Sequence, residues 1–211
     1  MLKNKKIRLK NIPQLLTFSF FAFWLKYILR LRVKGIEKIY IKKPLIIVSN
    51  HRSKLDPFLI LSALGWRNFF RINPLRFPLH KKYSESWWPG PLSRIVGCYK
   101  IEKKGDLDES LRSTFEVINQ NYSLIYFPEG QVVKKSEKVE PKKGIGYLCG
   151  KKNVNILPVN ILPGVYDKKG AGRTWKSKIV FGDIFDSLNL RNKNNLKNLH
   201  LAVTERINEL S

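Results

Sequence analysis

Acidic side chains are scarce in this sequence. Only 16 Asp and Glu stand against 40 Lys and Arg in 211 residues, a net charge of +24. Such an excess concentrates polyanions near the surface and speeds encounter with them. By itself it does not choose among nucleic acid, anionic lipid headgroups, coenzyme A phosphates and an acidic carrier protein. Cysteine is scarcer still, with Cys98 and Cys149 far apart and no CxxC. His51, His80 and His200 are equally scattered, so no metal-binding pattern is written in the chain and no metal is expected. Two idle or buried thiols in a reducing compartment fit better than a disulfide. There is no internal repeat, and no helix-turn-helix, zinc-finger or RNP-type pattern to turn the positive charge into a nucleic-acid reading. The length suits one domain with a real core.

The N-terminus is distinct from the rest. Residues 1–10 hold five basic side chains and no acid, and an aromatic apolar stretch from Pro13 to Leu31 follows. The uncharged run from Asn11 to Leu25 has 15 residues, short of the roughly 20 that cross a bilayer as a helix. The stretch ends in Lys26, Arg30 and Arg32 instead of the small residues of a cleavage site. We read residues 1–32 as a membrane-associating helical segment lying in the interface, its basic residues snorkelling upward. The other reading is a buried core helix. Residues 33–211 would form the folded domain.

Within that domain, short apolar runs alternate with amphipathic ones. Leu45 to Val48 reads as a buried strand, and Asp56-Pro57 opens a helix that Gly65 would stop. Trp66 to Pro91, rich in Arg, Pro and aromatics, reads as surface loop, with Trp87-Trp88-Pro89 as either core or a membrane-facing wedge. Ile95–Ile101, Leu124–Phe127, Val154–Ile161 and Lys178–Phe181 read as further strands. Asp106 and Glu109 form a capping-box pattern before a helix with Leu107, Leu111, Phe115 and Ile118 on one face. A helix near Gly144–Gly150 follows a Lys-rich loop. A last helix carries Leu196, Leu199, Val203, Ile207 and Leu210. The alternation predicts an α/β fold, a mostly parallel central sheet flanked by helices.

The chemistry concentrates where the first strand ends. Asn50-His51 follows it directly, and Asp56 comes after four intervening residues. A histidine at a strand end can serve as general base near neutral pH, and a nearby carboxylate can fix its tautomer. On spacing alone, a surface histidine beside a helix cap remains the alternative. His80 and His200 read as structural or solvated. No GxSxG elbow or nucleophilic cysteine motif is present.

Asn50 to Asp56, NHRSKLD, matches the NHxxxxD motif of the glycerolipid acyltransferases, the 1-acylglycerol-3-phosphate acyltransferases and their relatives. Phe127-Pro128-Glu129-Gly130 matches that family's FPEG motif. Gly97 to Lys103 resembles its glycine-to-arginine block with lysine in the arginine place. Lys142-Lys143-Gly144 and Ile156 to Val159 resemble the segments that follow FPEG. The resemblance runs from about Val33 to Phe181. It implies acyl transfer from a thioester, acyl-CoA or acyl-carrier protein, to a hydroxyl of a glycerol-phosphate-type lysolipid, in phospholipid biosynthesis or remodelling and with no bound cofactor. His51 would be the base and Asp56 its orienting partner. Asn50, Lys103, Phe127, Pro128, Glu129 and Gly130 would line the substrate site. An anionic membrane surface would be the working environment, at the cytoplasmic face, with no role for nucleic acid.

One departure stands out. The family commonly continues FPEG with Thr-Arg-Ser, where this chain has Gln131-Val132-Val133. Both arginines that would grip a phosphate are therefore absent. Either nearby lysines such as Lys103, Lys134 and Lys135 take over, or the acceptor has a different headgroup. The rivals are a basic nucleic-acid- or polyanion-binding module, which rests on the charge, and a non-catalytic lipid-binding homologue.

Overall fold

The computed structural model describes residues 16, 31–40, 43–81, 93, 95–102, 105–133, 139–162, 177–193 and 195–210. The membrane-associating segment expected over residues 1–32 lies almost wholly outside them, as do Trp87-Trp88-Pro89, Lys103, Lys134 and Lys135. The described strands are β1 (Arg32–Lys34), β2 (Leu45–Ser49), β3 (Leu75–His80), β4 (Cys98–Ile101), β5 (Ser123–Tyr126), β6 (Asn155–Leu162), β7 (Lys178–Phe181) and β8 (Phe185–Asp186). The helices are α1 (Asp56–Ile72), α2 (Leu107–Asn119), α3 (Gly144–Lys151), α4 (Ser187–Lys193) and α5 (Leu199–Asn208).

The strands form one sheet in the order β1-β7-β6-β2-β5-β3-β4, with β8 also beside β6. Among the described strands, only β6–β7 and β6–β8 pair antiparallel; every other pairing is parallel. The α/β, mostly parallel sheet flanked by helices is therefore the observed architecture. Parallel strands covered on both faces read as continuous apolar runs, and β2 is buried at all five positions. Its side chains still alternate. Leu45 and Ile47 join Ile125, Leu157, Val159 and α1 on one face. Ile46 and Val48 join Leu124, Ile156 and residues of α2, α3 and α5 on the other.

Several expectations shift in detail. Asp106 caps α2 by accepting from the Glu109 N–H at 2.9 Å. Leu107, expected on the buried face of α2, is 38% exposed, whereas Thr114 is buried. The Thr114 hydroxyl shares a 3.0 Å hydrogen bond with Tyr99, which makes a polar residue acceptable there. The strand expected from Ile95 begins only at Cys98, because Gly97 turns the chain at φ 89°.

The larger correction falls on Trp66 to Lys81, the described part of the segment Trp66 to Pro91 read as surface loop or a pair of short turns. Gly65 does not stop α1 but kinks it at φ 67°, and the helix runs on to Ile72. Leu75–His80 is then a strand inside the sheet, between β5 and β4. Pro74 and Pro78 hid it, since proline inside a sheet lacks a ladder donor. Here the missing donor does no harm. The Phe77 N–H points to Gly97 on the β4 side, so the nitrogen of Pro78 faces the β5 side. Pairing with β5 has already ended there, at Arg76↔Leu124.

Candidate active site

Parallel pairing between β2 and β5 puts the two motifs side by side. Val48 is in register with Tyr126, so three residues onward His51 comes opposite Glu129. Both leave the sheet at its carboxyl edge, where open α/β sheets bind ligands. Asn50 fastens the β2 side of this edge. Its amide donates to the Ile161 carbonyl at 3.0 Å and accepts from the Ile161 N–H at 2.8 Å. That bracket extends the β2–β6 ladder one residue past Ser49↔Val159.

From there the chain loops back into α1 with Pro57 in its first turn. Asp56 is fully buried, and its Oδ2 gathers three N–H donors: His51 Nδ1 at 2.9 Å, the Arg52 backbone at 2.5 Å and the Ser53 backbone at 2.7 Å. A carboxylate, which only accepts, suits this position. It closes the loop and holds the His51 ring together. With Nδ1–H given to Asp56, the lone pair of His51 lies on Nε2. The side chain as a whole remains 17% exposed.

The FPEG segment supplies the opposite wall. The Phe127 ring stacks on the His51 ring, centroids 4.0 Å apart and planes 15° from parallel. The Phe127 carbonyl accepts from the Gly130 N–H at 3.0 Å, closing a turn in which Gly130 adopts φ 63°. Pro128 is buried, and its carbonyl accepts from the Lys142 N–H at 2.9 Å. Glu129 Oε1 accepts from the His51 N–H at 3.4 Å, and its Oε2 is buried with no hydrogen-bond partner. Burial raises the Glu129 carboxyl above its ordinary 4.5; bonds from its own N–H and that of His51, and the charge of Arg52, oppose the rise.

Phe127, expected to line the substrate site, also stacks on the base. Two participants were not read from sequence as site residues. One is Val133, buried at 2% exposure, whose N–H donates to the His51 carbonyl at 2.8 Å. The other is Lys142, whose side chain lies across Gly130: a Cβ there would meet the Lys142 Nζ at 2.6 Å. A conspicuous Lys142-Lys143-Gly144 was the available signal for the last. Of the expected site residues, His51, Asp56, Asn50, Phe127, Pro128, Glu129 and Gly130 come together. His80 closes β3 and His200 belongs to α5. Cys98 and Cys149 are free thiols, both pushed up to about 12 by burial, a poor state for nucleophiles.

A buried carboxylate, an oriented imidazole with a free Nε2 and an adjoining carboxyl can abstract a proton from a hydroxyl and return it to a leaving group. Comparison with known proteins agrees with that chemistry. Two proteins named "Probable 1-acyl-sn-glycerol-3-phosphate acyltransferase" are each 26% identical. The one from Mycoplasma genitalium aligns over 92% of this chain and 74% of its own length. The one from Mycoplasma pneumoniae aligns over 71% of this chain, which spans 58% of that relative. The fold is shared with the crystal structure of the 1-acyl-sn-glycerophosphate (LPA) acyltransferase PlsC from Thermotoga maritima. There the identity is 20%, the TM-score 0.66, and the match covers 97% of this chain and 84% of the other. The family model described as Acyltransferase matches residues 30–162, taking in both motifs and strands β1 to β6; the chain belongs to the acyltransferase family.

Proposed function

We propose that this chain transfers a fatty acyl group from an acyl thioester, of coenzyme A or an acyl carrier protein, to a hydroxyl of a glycerol-phosphate lysolipid. The preferred acceptor is 1-acylglycerol-3-phosphate, as the names of the relatives suggest. The observation that carries the reading is the 2.9 Å contact between His51 Nδ1 and Asp56 Oδ2 at the carboxyl edge of the sheet. His51 Nε2 takes the proton of the acceptor hydroxyl as its oxygen bonds to the thioester carbon. The tetrahedral intermediate collapses, the C–S bond breaks, and the thiolate recovers that proton from His51. Asp56 holds the ring and balances the imidazolium between the two steps. No covalent acyl-enzyme is needed.

Recognition of the phosphate falls to Lys142. Val132, in the place where the family commonly has arginine, is 40% exposed and carries no charge. The Lys142 ammonium, held over Gly130, supplies a cation one residue from Glu129. Lys103 can add to it.

Residues 1–32 attach the enzyme to the cytoplasmic face of an anionic membrane, and residues 33–211 are the catalytic domain. Among the described residues no helix is long and apolar enough to cross a membrane. The test is acyl transfer by membranes carrying the full chain, with both thioester donors and a panel of lysolipids. Transfer should be strongest to 1-acylglycerol-3-phosphate and vanish in His51→Ala. Folded protein inactive with both donors and every acceptor would overturn the reading in favour of a non-catalytic lipid binder.

A further inference from the structure

Beyond its kink, α1 presents to solvent what a soluble helix normally hides. Trp66 is 48% exposed and Phe70 52% exposed. One turn apart, their rings stack with centroids at 5.7 Å and planes 28° apart. Beside them, Arg67 and Arg71 are exposed at the same spacing of four. Like charges so placed repel, and neither arginine forms an ion pair among the described residues. Phe69 and Ile72 point inward and are buried, so this half-helix is anchored in the core while its outer face is left aromatic and cationic.

The two outer rings touch the buried Phe69 only along one side, and both stripes suit one kind of surface. Tryptophan settles at the headgroup boundary of a bilayer, phenylalanine joins it on the apolar face of helices that lie in the interface, and arginines beside them reach the phosphates. We propose that the outer face of α1 from Trp66 to Arg71 docks on an anionic lipid surface, a contact separate from the N-terminal segment. This rests on the reading of the chain as a membrane-working enzyme and names the surface it uses. A second copy of the chain fits poorly. Two-fold pairing would bring Arg67 and Arg71 against their own counterparts, on molecules carrying +24 each. The two half-exposed rings offer roughly 200 Å², far below the ~800 Å² per partner of a stable interface.

The experiment uses the full chain with vesicles of phosphatidylcholine alone or mixed with phosphatidylglycerol, each with and without brominated acyl chains. Bromolipid quenching of tryptophan fluorescence is compared between the wild type and Trp66→Phe. A quenched component present in bound wild type and missing from Trp66→Phe is expected. Arg67→Gln with Arg71→Gln should lower partition into the mixed vesicles on the order of tenfold and leave pure phosphatidylcholine unaffected. Circular dichroism melts establish that the variants are folded. Bound protein whose Trp66 is not quenched overturns the proposal. So does a wild-type dimer that Phe70→Ser converts to monomer. Failure of the catalytic reading would look different, since His51→Ala should bind vesicles like the wild type. Conversely, the arginine variant should retain full activity on acceptor dispersed in detergent.

Discussion

The Phe127 ring lies on the His51 ring at 4.0 Å, so one motif physically roofs the base of the other. An imidazole held from one side by Asp56 and from above by a flat apolar surface has little freedom to swing. Phe127→Leu keeps apolar volume but loses the plane. With aromatic stacking worth ~0.5–1.5 kcal/mol, kcat should fall roughly two- to tenfold with KM nearly unchanged. Phe127→Tyr should behave like the wild type. Steady-state kinetics on the three proteins separates positioning of the base from substrate binding.

Asp56 is held more tightly still. Its Oδ2 takes the His51 ring N–H and two backbone N–H groups at once. Asparagine can set its carbonyl oxygen in the place of Oδ2 only by burying its NH2 group where Oδ1 has no hydrogen-bond partner, and it carries no charge to balance the imidazolium. Asp56→Asn should therefore weaken the base, costing on the order of 10²–10⁴ in kcat. Asp56→Glu should not rescue, because its longer arm cannot stay at the first position of α1 and meet the same three N–H groups. Single-turnover assays with saturating donor would check both variants.

Much of this was legible because local pattern and tertiary context agreed. Leu45 to Val48 reads as buried strand and is one, and the two motifs mark the ends of β2 and β5. What the sequence could not carry was adjacency. Nothing in residues 45–51 says that their neighbour is 123–129, and the stack of Phe127 on His51 exists only through that pairing. The strand at Leu75–His80 was illegible for a different reason. Its prolines argue against a sheet until the register shows that the nitrogen of Pro78 faces no carbonyl that needs a donor. Likewise the place of Thr114 on the buried face of α2 was illegible, because its partner Tyr99 comes from a neighbouring strand.

Lys142 tests the account of phosphate recognition. Charge-assisted hydrogen bonds contribute about 1.5–3 kcal/mol, so Lys142→Met should raise KM for a phosphate-bearing acceptor roughly tenfold or more. A monoacylglycerol lacking phosphate should show no such change, nor should the thioester donor. Lys142→Arg should restore the wild-type KM. Equal losses on charged and neutral acceptors would instead mean that the lysine merely props the Gly130 turn.

Glu129 makes a prediction about pH. Burial raises its folded-state carboxyl above the ordinary 4.5, against the bonds and charges that lower it. Below that ordinary value both folded and unfolded chains hold the proton, and the group is neutral in either state. As pH rises through it, the unfolded chain ionises freely while the folded chain keeps its proton. Folding stability then falls with pH until the folded-state value is passed, where the loss levels off. Glu129→Gln cannot titrate, yet its carbonyl can still accept from the His51 N–H. Its stability relative to the wild type should thus improve as pH climbs from about 4.5 and reach a plateau. Urea midpoints for both proteins across pH would reveal this, other titrating groups cancelling in the difference. A difference that is flat with pH would mean the Glu129 carboxyl ionises in the folded protein as readily as in the unfolded chain. A difference that moves against the variant would mean its charge is stabilised by the cations around it.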